Sequence, residues 1–157
     1  MAEAKRRQAP IAGARGAHIV VIEGRYYDHL NDMLREGATA AIAAAGAEFE
    51  IITVPGALEI PVAMAIRAEQ QPKPDGFVAL GVVIRGETSH YDIVSVQANR
   101  ALIDYSTSHA MPFGNAILTV ESEAQAEARA NPAKGDKGGD AARAALTLVA
   151  LKRGAGR

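Results

Sequence analysis

The sequence predicts an α/β fold: a three-layer α/β/α sandwich on a four-stranded parallel sheet. Three observations carry that expectation. Apolar runs of strand length alternate along the chain with longer stretches of helical spacing. The strand runs are close to continuously apolar, as happens when helices cover both faces of a sheet. The length, 157 residues with 48% hydrophobic, suits one domain with a substantial core. Strand–helix–strand crossovers then make the sheet parallel.

The elements follow in order. Residues 1–15, with Lys5, Arg6 and Arg7, read as a disordered or arm-like tail, and 16–157 as a single domain. His18 to Glu23 is a β-branched run and predicts the first strand, which Gly24-Arg25 breaks. Tyr27 to Gly46 is rich in Ala and Leu at helical spacing and ends at glycine, a helix stop. Phe49 to Val54 predicts the second strand, ended by Pro55-Gly56. Leu58 to Gln70 predicts a helix with Pro61 in its first turn, where proline is tolerated. Gln71 to Asp75 is a proline-containing connector. Gly76 to Ile84 predicts the third strand, Tyr91 to Ala110 the third helix, and Asn115 to Glu121 the fourth strand. Glu123 to Ala130 predicts a short helix, Asn131 to Gly139 a polar loop, and Asp140 to Arg153 the last helix. Four strands in this pattern make a small flavodoxin-like sheet.

Composition narrows the function classes. Net charge is -1, charged residues are 22% and aromatics only 4%, which argues against a nucleic-acid binder. Cysteine is absent, so thiol chemistry, disulfides and thiolate metal sites are excluded, and a cytoplasmic location is expected. No apolar run reaches membrane-spanning length, and no signal-peptide segment follows the basic start. The histidines have no metal-ligand spacing, so no metal is expected.

In open parallel sheets, ligands bind beyond the carboxyl ends of the strands. Gly24 to Asp28, Pro55 to Glu59 and Arg85 to His90 all fall there, on one rim. The last segment is the most informative. A strand ending in a Gly-containing turn that opens a helix presents unpaired N–H groups, an anion site by geometry. Gly86-Glu87-Thr88 reads as that cradle and, equally, as a helix cap with Thr88 or Ser89 capping; the two readings are compatible. Glu87 would repel a phosphate with its carboxylate, so only its N–H is expected to contribute. His90 is either a general acid–base or a solvated histidine. Tyr26 is either a stacking surface or a half-buried helix-start aromatic. Glu59 is either a contact for a ligand hydroxyl or a first-turn glutamate favoured by the helix dipole. The segment Lys134 to Asp140 is either a flexible loop or a Gly-rich segment bringing lysines to a ligand, with Arg129 before it as an anion fork.

Together these segments resemble a known family. Val54-Pro55-Gly56-Ala57-Leu58-Glu59-Ile60-Pro61 resembles the Val-Pro-Gly-Ala-Phe-Glu-Ile-Pro signature of the lumazine synthases. Gly81 to Tyr91 resembles that family's Gly-x-Val-Ile-Arg-Gly-x-Thr-x-His-Phe/Tyr segment. Gly24-Arg25-Tyr26 is similar to its Gly-Arg-Phe, and Asp136-Lys137-Gly138 to its Asn-Lys-Gly turn. The matches keep order and spacing over roughly residues 17–153. The resemblance implies condensation of 5-amino-6-(D-ribitylamino)uracil with 3,4-dihydroxy-2-butanone 4-phosphate to 6,7-dimethyl-8-ribityllumazine, the immediate precursor of riboflavin. It implies no cofactor. The alternatives are a catalytically idle lumazine- or flavin-binding module and a mainly shell-forming homologue.

Carried over by motif, the resemblance makes His90 the proton carrier. Glu87, Thr88 and Arg129 hold the phosphate. Tyr26, Ala57, Leu58, Glu59, Val82, Val83, Ile84, Asn115 and Lys137 bind the ribitylaminouracil, with Gly86 and Asp140 supporting. Leu58 and Asn115 depart from the family, which usually has an aromatic at the first and a stacking phenylalanine at the second. Tyr26 then supplies most of the aromatic surface. Asn115 is expected at the amino end of its strand, on the opposite rim, and a strand rising ~3.3 Å per residue separates the rims by roughly 20 Å. Asn115 therefore reaches the site only from a neighbouring copy, and a head-to-tail contact of that kind closes a ring. The resemblance makes the ring a pentamer, with a 60-subunit shell as the other assembly; the Arg129–Lys137 spacing fits shell-forming relatives, and Pro132 leaves both open.

Overall fold

The computed structural model describes residues 11–154. Its elements are β1 His18–Gly24, α1 Asp28–Ala44, β2 Glu48–Val54, α2 Glu59–Glu69, β3 Gly76–Ile84, α3 His90–Ser108, β4 Phe113–Val120, α4 Glu123–Ala130 and α5 Lys137–Lys152. The strands form one parallel sheet in the order β2-β1-β3-β4. The expected α/β sandwich is the fold observed.

Alternate residues of each strand feed two core layers. Ile19, Val21, Val78, Leu80 and Leu118 pack with α1, α4 and α5; Val20, Ile22, Phe77, Ala79 and Ile117 pack with α2 and α3. Burying side chains of this size stabilises the fold by about 1.5–3 kcal/mol each. Chain order explains the placement of the site. The first crossover steps from β1 to β2, and the second steps back across β1 to β3. The carboxyl ends of β1 and β3 are therefore a topological switch point, where the loops diverge and leave a crevice.

The other end of the sheet is closed by a polar network. The buried Arg67 guanidinium donates to Glu50 Oε1 (2.6 Å) and to the carbonyls of Gln70 (3.1 Å) and Pro72 (2.9 Å). Arg67, and then His18, hold the Glu50 carboxyl below its ordinary range against the opposing effect of burial.

Three expected boundaries shift for physical reasons. β4 begins at Phe113, two residues before the expected Asn115, because Phe113 is buried and the Pro112 carbonyl already accepts from Phe77 N (2.9 Å). α3 begins at His90, one residue before the expected Tyr91, so the histidine is the first helical residue. α5 begins at Lys137, so Lys137, Gly138 and Gly139 are helical and not loop. The glycines serve close approach: a Cβ on Gly138 would lie 2.0 Å from the Leu34 carbonyl oxygen of α1. Asp136 caps this helix, its side chain accepting from Gly139 N.

Of the segment read as a tail or arm, residues 1–10 lie outside the described residues. Within 11–15, Ala14 is fully buried, and the carbonyls of Gly13 and Arg15 accept from the Arg153 guanidinium.

Candidate active site

A cavity of about 420 Å³ opens at the switch point. That volume is in the range of small-molecule sites. Its walls are the three segments that follow β1, β2 and β3. From the first come Tyr26 and Tyr27; from the second Gly56, Ala57, Leu58 and Glu59; from the third Val82, Val83, Ile84, Gly86, Thr88 and His90, joined by Tyr91 and Val94 of α3.

Two backbone contacts hold the first two walls together. Arg25 N donates to the Val54 carbonyl (3.0 Å), and a Cβ on Gly24 would lie 2.7 Å from the carbonyl carbon of Gly56. Glycine is required there for the turns to meet. Tyr26 stands 75% exposed above them, its ring edge-on to Tyr27 at 5.0 Å. Burial pushes the Tyr27 phenol above its ordinary pKa, so it remains a hydroxyl donor at neutral pH.

The third wall is the turn expected to bind an anion. Gly86 to His90 leads into the start of α3, and Thr88 Oγ1 accepts from His90 N (3.3 Å). The Thr88 hydroxyl thus supplies a local cap; Ser89 occupies the cap position without a side-chain bond. The His90 ring is exposed and, among the described residues, makes no hydrogen bond, which leaves both nitrogens for a ligand. Arg85 fastens this turn from outside. Its Nε donates to both Glu121 carboxylate oxygens (3.1 and 3.0 Å), and its guanidinium lies 4.2 Å from the centre of the Tyr91 ring. The bond to Glu121 raises its pKa further above the ordinary value.

The remaining residues expected at the site are not brought to this cavity within one chain. Glu87 belongs to the turn but is exposed and does not line the opening. Asn115 pairs with Ala79, five residues before the Ile84–Val120 pair, which puts it ~16 Å short of the rim along the strand. Its Nδ2 donates to Asn99 Oδ1 of α3, and its Oδ1 accepts from Ile117 N (2.9 Å). Arg129 sits near the end of α4, donating to the Gln125 carbonyl (3.0 Å). Lys137 and Asp140 are 3.5 Å apart in the first turn of α5, where Arg143 donates to both Asp136 and Asp140. These last groups belong to the α1/α5 side of the sheet, and the cavity opens towards α2 and α3.

Sequence reasoning placed Tyr27 and Gly56 in segments of this rim without singling them out, and missed Tyr91 and Val94 as wall residues. The signal was present for the last two: Tyr91 ends the quoted motif, and Val94 lies four residues after His90 on the same helix face. Among the described residues, no group of three or more His, Cys, Asp or Glu side chains is placed to hold a metal ion. No helix among them is long and apolar enough to cross a membrane.

The fold and cavity define an open parallel α/β protein with a cavity of small-molecule size at the carboxyl edge of its sheet, a helix start and an imidazole on one wall. The family model described as 6,7-dimethyl-8-ribityllumazine synthase matches residues 16–153. The chain belongs to the 6,7-dimethyl-8-ribityllumazine synthase family. It is 53% identical to the 6,7-dimethyl-8-ribityllumazine synthase of Methylocella silvestris over 147 residues, 91% of this chain and 90% of the relative. It is 55% identical to that of Azorhizobium caulinodans over 148 residues, covering 92% and 90%. It is 56% identical to that of Novosphingobium aromaticivorans over 136 residues, covering 87% and 96%.

Proposed function

We propose that this chain is a transferase that condenses 5-amino-6-(D-ribitylamino)uracil with 3,4-dihydroxy-2-butanone 4-phosphate to 6,7-dimethyl-8-ribityllumazine, in a single catalytic domain over residues 16–157. The observation that carries the reading is one cavity in which an aromatic surface, an apolar slot, an anion cradle and an imidazole meet. The pyrimidine lies against Tyr26 and the Val82–Ile84 segment, with Glu59 taking ribityl hydroxyls. The phosphate lies at Gly86 to Thr88, at the start of α3, the end of a helix that favours an anion. The 5-amino group attacks the ketone, and water leaves as the imine forms. Loss of a proton from the butanone chain expels phosphate, and the ribitylamino nitrogen closes the ring with loss of a second water. His90 takes and returns protons in these steps. The anion cradle stabilises the leaving phosphate.

The reading includes a site shared between copies in a homo-oligomeric ring, a pentamer by family resemblance, and a cytoplasmic location. Val62 and Ile66 of α2 and Ile93, Val96 and Ile103 of α3 are each more than half exposed on the outward face of adjacent helices. A contiguous aliphatic patch of this kind is the usual mark of an association surface. A neighbour seated there supplies Asn115, Arg129 and Lys137 to the cavity, with Arg129 forking the phosphate.

The test is direct: the purified chain, given both substrates and a chelator, is expected to form lumazine, measured by its absorbance and fluorescence. Binding of the pyrimidine without turnover would favour the idle binding module, and activity abolished by the chelator and restored by metal would refute the cofactor-free reaction. Arg129→Ala is expected to weaken the phosphorylated substrate by about 1.5–3 kcal/mol, the size of a lost hydrogen bond to a charged group, and to leave pyrimidine affinity nearly unchanged. Equal loss for both substrates in steady-state kinetics would assign Arg129 a structural role.

A further inference from the structure

Glu23 is fully buried, yet it sits on a strand whose other residues on that face, Ile19 and Val21, are apolar. An ionised carboxylate withdrawn from water is tolerated only when paired and hydrogen-bonded. Glu23 meets that condition: its Oε2 accepts from Arg25 Nη1 (3.0 Å), and its Oε1 from Thr53 Oγ1 (2.8 Å) and Arg35 Nη1 (3.4 Å). The same Arg25 fork reaches forward into α1. Its Nε donates to Asp28 Oδ1 (2.9 Å), and its Nη2 to the Asp28 carbonyl (2.9 Å) and to Asp32. Arg25 therefore staples the end of β1 to the first turn of α1. Tyr26 lies between the two stapled points. Its ring is 75% exposed and meets the edge of Tyr27, so its place depends strongly on the turn beneath it.

We propose that the Glu23–Arg25 pair is a positioning element that holds the Tyr26 ring at the mouth of the cavity; its consequence for catalysis rests on the reading of Tyr26 as the surface facing the pyrimidine. The planar fork is what the job requires, because a single guanidinium bonds a buried carboxylate on one side and a helix start on the other. An ammonium in its place keeps the charge and loses the geometry.

The chain contains no tryptophan, so Tyr26→Trp introduces a single indole at the position in question. In that background, Arg25→Lys is expected to lower the fluorescence anisotropy of the indole in the unliganded protein. It is also expected to raise KM for the ribitylaminouracil roughly 3- to 30-fold, the order of a weakened base–aromatic stack. KM for the butanone phosphate and the melting temperature stay close to those of the parent. Glu23→Gln, which keeps the shape and an acceptor oxygen, is expected to move both readouts the same way. Unchanged anisotropy in both variants overturns the proposal. So does an equal rise in both KM values with a lower melting temperature, since that is a general loss of structure. A fall in anisotropy with an unchanged pyrimidine KM upholds the positioning and removes Tyr26 from the pyrimidine site.

Discussion

His90→Ala is expected to slow lumazine formation by roughly 10- to 1,000-fold, the usual size of general acid–base effects. The imidazole is on the wall of the cavity, next to the Gly86–Thr88 turn proposed to receive the leaving phosphate, and it is the one histidine among the residues that line the cavity. The backbone of the turn is untouched by the substitution, because the His90 contact that orders it runs from its own N–H to Thr88. Folding is therefore expected to survive, with an unaltered circular dichroism spectrum and melting temperature. Single-turnover kinetics are the appropriate measurement, since they separate chemistry from product release. Turnover equal to the parent would exclude His90 as the proton carrier.

Gly138→Ala is expected to destabilise the chain by about 2–4 kcal/mol, the upper part of what overpacking costs. The added methyl would stand 2.0 Å from the Leu34 carbonyl oxygen, and that atom belongs to helix backbone, which has no rotamer to change. α5 must move away from α1, opening the buried contact formed by Leu34, Ala38, Ala142 and Leu146. Chemical denaturation gives the number. A loss below about 0.5 kcal/mol, the level of ordinary surface substitutions, would mean that the helices separate freely and that the close approach is unimportant.

The same glycine marks where the sequence was hard to read. All four strands were legible because each is a compact apolar run flanked by breakers. The start of α5 was not, because Gly138 and Gly139 carry a poor helix propensity that close packing on α1 overrides. The start of β4 was hidden behind Pro112, whose carbonyl bonds β3 although its nitrogen cannot donate. For the site, one rim was legible: parallel strands send the residues after Gly24, Val54 and Ile84 to one edge, and Tyr26, Ala57 to Glu59, Gly86, Thr88 and His90 line one cavity. Asn115, Arg129, Lys137 and Asp140 carried motif signals but lie on elements that a single copy of this fold does not turn towards that cavity. Local patterns report which rim a residue belongs to, and for Asn115 that rim is the one away from the cavity.

Mixing two impaired variants addresses the shared site most directly. His90→Ala keeps Arg129, and Arg129→Ala keeps His90. If a site takes His90 from one copy and Arg129 from its neighbour in a closed ring, random assembly of an equal mixture makes about one quarter of the sites intact, since each of the two copies must be of the right kind. The predicted result, with the phosphorylated substrate below saturation, is about one quarter of the parent activity after co-refolding, and no gain over the separate variants when the two proteins are mixed without subunit exchange. No recovery in rings shown by mass spectrometry to contain both variants, or full activity in a parent chain that sediments as a monomer, would contradict it.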